Sequence, residues 1–208
     1  MNDTLDYHFH GRLGLLAERN GAEAIPDLKK SLIDPDPKVR WAAADMLATL
    51  NDASGLDAMK NDLRAFSSLA DQLEHALEVA RILAQLGDIS GYELAADLAA
   101  NGTTHGQRWR AAVVLAHLAN VDATTVKPEG FDPIGVLKTM AAEEEHEGVF
   151  FVFIDQLHKI LQDRADMINI FAIAKDSKYH SDPPSGNRFK MAEIFHSVAV
   201  RDKDTTWR

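Results

Sequence analysis

Apolar and polar residues follow one another along most of this chain with the period of amphipathic α-helices. Within residues 40–50, apolar side chains recur three and four positions apart, at Ala43, Ala44, Leu47 and Leu50. This spacing places them on one face of a helix, so we expect them to enter a core. Because similar patterns return along the chain, the sequence predicts a protein that is helical almost throughout.

The helical segments are repeated. Residues 40–50 and 108–118 share an initial Arg-Trp pair and a later Leu-Ala pair that precedes a final leucine. Residues 76–86 keep the alanine and both leucines in the same register. Residues 188–198 repeat the arginine, an aromatic residue and the alanine, and residues 150–161 form a looser copy. Repetition at such intervals is typical of stacked supersecondary units.

A second predicted helix precedes each copy, so the predicted unit is a helix, a turn and a helix. These preceding segments are Ala22–Ile33, Ser54–Phe66, Ile89–Ala100, Pro133–Glu145 and Arg164–Lys175. The turns agree with this division, because Asp36 followed by Pro37 is a favourable helix start. Gly87-Asp88 and Asn101-Gly102 are favourable helix ends.

The segment from Asp36 to Leu47 resembles the second helix of HEAT and armadillo-like repeats. In those repeats an aspartate is followed by Val-Arg and by spaced alanines before a leucine, as in Asp36, Val39, Arg40 and Leu47 here. The resemblance covers residues 22–120 well and the remainder loosely. It implies an all-α fold, a right-handed α-solenoid of about five HEAT-like helical hairpins.

We therefore expect residues 1–208 to form a single repeat domain. A capping helix within residues 1–21 would close the N-terminal end, because an end repeat presents a polar outer face. The best-matching repeats occupy residues 22–120, and the divergent repeats occupy residues 133–201. They are separated by a loop at 121–132, a second irregular stretch lies at 176–187, and 202–208 is a tail.

Composition narrows the function classes. The 208 residues carry a formal net charge of −10, with 46% hydrophobic and 26% charged residues. This negative charge makes nucleic acid an unfavourable partner. We therefore expect a protein partner, in particular a basic one. The absence of cysteine excludes disulfides and thiolate zinc sites. With neither a secretory leader pattern nor an apolar stretch of membrane-spanning length, we expect a cytoplasmic protein without membrane partners.

The outward stripe on the second helices, formed by Lys38, Ala42, Asp45, Thr49 and their repeat equivalents, supplies most of the candidate partner-binding residues, and Trp41 and Trp109 flank it. It mixes both charge signs, which favours a protein-binding face over a phosphate-binding track. An ordinary solvated helix face is the alternative. The candidate residues are Trp41, Asp45, Glu74, Glu78, Arg81, Trp109, Arg110, His117, Asp155 and Lys159.

The repeated aromatic and arginine positions each allow two interpretations. Trp41, Trp109 and Phe189 would form an exposed aromatic row suited to binding, or would pack between repeats as large aromatics usually do. Arg40 and its repeat equivalents would bind a ligand, or would pair with a neighbouring carboxylate, which Asp34 or Asp36 could supply in the first full repeat.

The run from Val149 to Ile154 is apolar on all sides. Its composition would suit a strand, but Leu157 and Leu161 continue a helical period, so a helix buried on every side is expected. If part of this run were exposed, it would be a docking patch.

Chemistry-bearing patterns are incomplete. The segment from Glu143 to Glu147 has carboxylates and one histidine on a helical face, but a metal site needs three or four converging ligands. HEAT-type iron hydroxylases repeat a His-Glu pair in every repeat, whereas only His146-Glu147 is present here. His8 and His10 are two positions apart and would point to different sides of a helix. No phosphate-binding loop or catalytic triad pattern occurs, and no cofactor is expected.

These features favour a non-catalytic protein-binding module, either an adaptor or an inhibitor of the immunity-protein type that covers a basic toxin. The alternative is an enzyme that resembles the HEAT-like DNA glycosylases acting on alkylated bases, with Trp41, Asp45, Trp109 and Arg110 as its candidate residues. A third possibility is a chaperone-like partner similar to the bilin lyase-like HEAT proteins. The sequence leaves the partner and the oligomeric state open.

Overall fold

The structure is a computed structural model, and it describes residues 13–122, 125–161, 170, 172, 173 and 196. All regular secondary structure in these residues is helical, which confirms the predicted all-α class for this part of the chain. No helix among them is long and apolar enough to cross a membrane. The predicted segments at 164–175 and 188–198, the stretch at 176–187 and the tail at 202–208 lie outside the described residues, apart from the single positions given above.

Eight α-helices lie wholly within the described residues. Those in the first half of the described chain are α1 (Ile25–Ser31), α2 (Pro37–Thr49), α3 (Leu56–Ser67) and α4 (Leu73–Gln85). They are followed by α5 (Tyr92–Asn101), α6 (His105–Ala119), α7 (Pro133–Glu143) and α8 (Glu147–Ile160). Residues 13–20 are also helical and lie within the predicted capping helix. The predicted helices match these elements to within a few residues at each end.

The described residues divide into two compact units. The first contains the residues up to Ala95 together with Val121–Phe131, and the second contains Ala96–Asn120 and the residues from Asp132 onward. The division falls within α5. The prediction of one continuous repeat domain stays a prediction.

In the first unit, α1 packs on α2, α3 packs on α4, and α2 contacts both α3 and α4. The fully buried side chains are contributed in turn by these helices, among them Leu28, Leu47, Met59, Leu77 and Leu83. Each large apolar side chain buried in this way contributes about 1.5–3 kcal/mol to folding. The apolar period read from the sequence is thus the packing face of these helices.

Two helix ends in the first unit, those of α2 and α4, have the same geometry. After α2, the backbone N–H of Asp52 donates to the carbonyl of Leu47 at 2.8 Å. After α4, Asp88 donates to Leu83 at 2.9 Å. The residue before each aspartate has a positive φ, 58° at Asn51 and 80° at Gly87. These are Schellman ends, in which a left-handed residue terminates the helix.

The same corners continue alike into the next helix. Ser54 N–H donates to Asp52 Oδ1 and Ser90 N–H donates to Asp88 Oδ1, both at 2.8 Å. The second oxygen of each aspartate binds a lysine, Lys29 at 2.9 Å from Asp52 and Lys60 at 2.6 Å from Asp88. The sequence Asp-x-Ser-Gly therefore fixes two successive corners in one way.

In the second unit, α6, α7 and α8 each pack on the other two. Thr104 and Gln107 form a capping box at the start of α6, and Asp132 caps α7. Phe150, Phe153 and Ile154 are almost fully buried on α8. The apolar run is therefore a helix, as predicted, and not a strand. Val152 is half-buried, so the expected burial on every side is not complete.

The two repeated arginines in the described residues, Arg40 and Arg108, are paired with carboxylates, but the predicted partner of Arg40 was wrong. Arg40 binds both carboxylate oxygens of Asp62, at 3.1 and 2.7 Å, while its third contact is the main-chain carbonyl of Asp34 at 2.8 Å. The carboxylates of Asp34 and Asp36 instead accept from nearby backbone N–H groups. Asp62 comes from α3, which follows in the chain, so the pair joins two helices.

Candidate partner-binding surface

The ten predicted binding residues divide between the two units. The first unit contains Trp41, Asp45, Glu74, Glu78 and Arg81, and the second contains Trp109, Arg110, His117, Asp155 and Lys159. Each group is described within its own unit.

In the first unit, the structure brings Asp45, Glu78 and Arg81 together. Arg81 donates to Asp45 Oδ1 at 3.1 Å and to Glu78 Oε1 at 2.7 Å, and a further nitrogen binds Gln85 at 2.8 Å. Burial opposes the charged guanidinium, but its hydrogen bonds to Glu78 and the charges of both carboxylates raise the pKa of Arg81. This cluster joins α2 to α4. Because Arg81 binds both carboxylates, much of the charge of the cluster is already paired.

Trp41 does not belong to an exposed surface. Its side chain is only 5% exposed and donates from Nε1 to Asp62 Oδ2 at 3.0 Å. Phe66 and His75 pack around its indole, with ring centroids 5.3 and 5.4 Å away. Trp41 therefore packs within the unit, as the second interpretation of the aromatic positions predicted, and it is not exposed for direct contact with a partner. Ala42, which was assigned to the outward stripe, is also fully buried.

Trp109, the repeat equivalent of Trp41, has the opposite environment. It is 44% exposed, the highest value for a tryptophan in the described residues. The guanidinium carbon of Arg110 lies 5.4 Å from the centre of its ring, a cation–π distance. The exposed aromatic residue predicted on the outward stripe is therefore present once in the described chain, in the second unit.

Trp109 lines a shallow groove of about 340 Å³ between α6 and α8. His105 and Gly106 continue the wall on the α6 side, and Val149 and Val152 form the wall on the α8 side. Val149 is buried, with only 2% of its surface exposed, whereas Val152 is half-buried. The lining is mostly apolar, and two glycines, Gly106 and Gly148, leave it wide.

Two histidines contribute to the lining of the groove. The rings of His105 and His146 stack with centroids 3.4 Å apart. His146 caps α8, because its Nδ1 accepts from the Val149 N–H, and its backbone N–H donates to Glu144 Oε1 at 2.8 Å. The ring stacking joins the segment before α8 to the start of α6.

A second concavity adjoins the groove within the same unit. It encloses about 290 Å³ and is lined by Glu143, Glu144 and Glu145, by Arg108, and by apolar residues of α5 and α7. Burial raises the pKa of Glu144, but its hydrogen bonds from Arg108 and from the His146 N–H outweigh burial and lower it below the ordinary value. Consecutive residues line the two concavities, because Trp109 of the groove follows Arg108 of the cleft and His146 of the groove follows Glu145 of the cleft.

The remaining predicted residues are half-buried or exposed. Asp155 and Lys159 pair on α8 at 2.7 Å, and the Lys159 side chain is 58% exposed. Glu74 and His117 are half-buried on α4 and α6. The described residues contain no group of three or more His, Cys, Asp or Glu side chains that could hold a metal ion.

Sequence reasoning missed the groove and the cleft. His105 and His146 are far apart in the chain, and no spacing rule links them before α6 and α8 are packed together. The only local signals were the glycine following His105 and the run of glutamates at 143–145. A search with known protein-family models finds no family that matches the chain, and a search of curated proteins finds no significant match.

Proposed function

We propose that this chain is a non-catalytic protein-binding module, built as a right-handed α-solenoid of HEAT-like hairpins. The solenoid is supported by the two corners at Asp52 and Asp88, which have the same hydrogen bonds and the same lysine pairing. Corners repeated in this way are expected when equivalent hairpins stack with one rotation per repeat.

The observation that carries the binding proposal is the exposed indole of Trp109 on an apolar groove. Tryptophan is the residue type most enriched among binding hot spots, and hot spots lie in concave, desolvated sites. A side chain of a partner that enters the groove would cover Trp109 and the half-buried Val152 together. The net charge of −10 favours a basic partner, because opposite charge accelerates encounter.

Two of the four candidates for base-excision chemistry are poorly placed. Trp41 is buried, and Asp45 already accepts a hydrogen bond from Arg81. The acidic charge of the chain also opposes a DNA backbone.

Affinity capture from the native host tests the proposal with three tagged proteins: wild type, Trp109→Ala and the control Ile33→Ala. Ile33 is a suitable control because it is 87% exposed and lies in the first unit, outside the groove. We expect wild type and the control to retain one protein in stoichiometric amount and Trp109→Ala to lose it. Equal retention by all three proteins would contradict the proposal, as would release of an alkylated base from duplex DNA by the purified chain.

A further inference from the structure

The groove at Trp109 and the acidic cleft beside it have complementary chemical characters. The groove is apolar and aromatic, whereas the cleft has three carboxylates and one guanidinium. Arg108 pairs with Glu144, and Glu143 and Glu145 are exposed residues of the cleft lining. Both concavities lie in the second unit.

We propose that the two concavities form one bipartite docking site for a short basic segment of a partner protein, with an apolar side chain in the groove and a lysine or arginine in the cleft. This rests on the protein-binding function proposed above. The groove volume of about 340 Å³ holds a large apolar side chain and part of its neighbours. Because consecutive residues of the chain line the two concavities, one short segment of a partner reaches both.

The lining of the cleft suits a long basic side chain in particular. Ala99, Ala100 and Met140 provide apolar surface, and Glu143 and Glu145 provide carboxylates at the rim. Lysine and arginine bury their methylene stems on apolar surface while the charged end stays near water or a carboxylate. Arg108 does not compete for this role, because Glu144 and the Gly102 carbonyl hold its guanidinium.

The groove itself also has features that would attract an acidic segment. His105, His146 and Arg110 are close to Trp109, and α6 and α8 both begin beside it. The net charge of the chain and the exposed glutamates of the cleft oppose such a ligand. The experiment therefore includes a ligand of each sign.

The probes are short, end-blocked peptides with one central phenylalanine and two lysines on each side. Matched peptides replace the lysines by glutamates, or the phenylalanine by alanine. Binding to the full chain is measured by titration calorimetry, and the indole N–H resonance of Trp109 is followed by NMR. We expect the lysine peptide to shift that resonance and both matched peptides to bind at least roughly tenfold more weakly.

Two variants and a charge-matched control locate the site. Trp109→Ala and the double variant Glu143→Gln/Glu145→Gln should each weaken binding of the lysine peptide by roughly tenfold. The control Glu18→Gln/Glu23→Gln removes the same charge from exposed residues of the first unit and should stay within about twofold. Circular dichroism confirms that each variant is folded.

Several results would overturn the inference. These are equal or tighter binding of the glutamate peptide, equal weakening by the control variant, or an unmoved Trp109 resonance at saturating lysine peptide. Capture of a partner that depends on Trp109, without any binding of the lysine peptide, would sink the basic-segment inference and leave the binding function standing. Peptide binding without Trp109-dependent capture would instead contradict the function proposed for this surface.

Discussion

Arg108 binds Glu144 through two parallel hydrogen bonds, from Nε at 2.8 Å and from a terminal nitrogen at 3.2 Å. A third hydrogen bond runs from Arg108 to the Gly102 carbonyl at 2.9 Å. Arg40 makes the same set of contacts with Asp62 and the Asp34 carbonyl. The repeated arginine thus fastens the start of its own helix to a carboxylate supplied by a later part of the chain.

Removing the charge of Glu144 should destabilise the protein in a pH-dependent way. Its side chain is 6% exposed, so Glu144→Gln leaves Arg108 without a charged partner and should cost roughly 1–3 kcal/mol at neutral pH. Because the folded pKa lies below the ordinary value of 4.5, the stabilisation is present above that pH and is lost as the pH falls through the folded pKa. Urea unfolding from pH 7 downward measures both proteins, and a difference that stays constant at all pH values would contradict this role.

Asp52 should stabilise the first corner down to an unusually low pH. Its hydrogen bonds with Ser54 and Lys29 lower its pKa from 3.8 to about 2. Asp52→Asn keeps an oxygen that accepts from Ser54 but loses the charge that pairs with Lys29, so it should cost up to about 1 kcal/mol at pH 7. Since the folded pKa is depressed, this difference should be complete above about pH 4 and vanish as the pH falls towards 2.

Thermal unfolding at stepped pH follows that difference. The exposed Glu23 provides the control, because Glu23→Gln removes a carboxylate from the surface without removing a corner contact. A difference between Asp52→Asn and wild type that persists unchanged at pH 2 would show that the charge of Asp52 is not its source.

Two glycines at the corners are required by close packing. A Cβ at Gly55 would lie 2.9 Å from the Ala44 Cβ, and one at Gly91 would lie 3.1 Å from the Ala80 Cα. Gly55→Ala and Gly91→Ala should each cost about 1–3 kcal/mol through overpacking. Gly14→Ala is the control, because its nearest neighbour would be the Met46 sulfur at 3.9 Å, and it should be neutral or slightly stabilising. Equal midpoints in urea for all three variants would contradict this explanation.

The helices were predictable because their signals are local. Asp36 and Pro37 begin α2 where expected, and Gly87 ends α4 through its left-handed conformation. The contrast between Trp41 and Trp109 was not predictable, because both follow an arginine at equivalent repeat positions. Trp41 is buried since Asp62 offers its indole a hydrogen-bond acceptor, and that contact depends on how α2 and α3 pack.

The candidate site shows the same limit. Sequence reasoning placed Trp109 and Arg110 on a binding face, but the groove also needs Val149 and Val152 from a helix some forty residues later. The run at 149–154 was expected to be buried on every side, and the half-burial of Val152 follows only from the spacing of α6 and α8. The groove and the partial exposure of Val152 depend on which helices pack together, and the hydrophobic periodicity of the sequence does not predict that packing.

Arg81 provides a final prediction about the cluster that joins α2 to α4. Arg81 is 18% exposed and separates the carboxylates of Asp45 and Glu78. Arg81→Met keeps most of the stem but leaves two like charges facing each other, so it should cost about 1–3 kcal/mol. The control Asp27→Asn breaks an exposed pair with Lys30 and should cost at most about 0.5 kcal/mol.

Adding Asp45→Ala to Arg81→Met should recover part of the loss, because the repulsion with Glu78 is then removed. Urea unfolding of wild type, Arg81→Met, Asp45→Ala and the double variant completes the cycle, and strict additivity of the two substitutions would show that Asp45 and Arg81 do not interact.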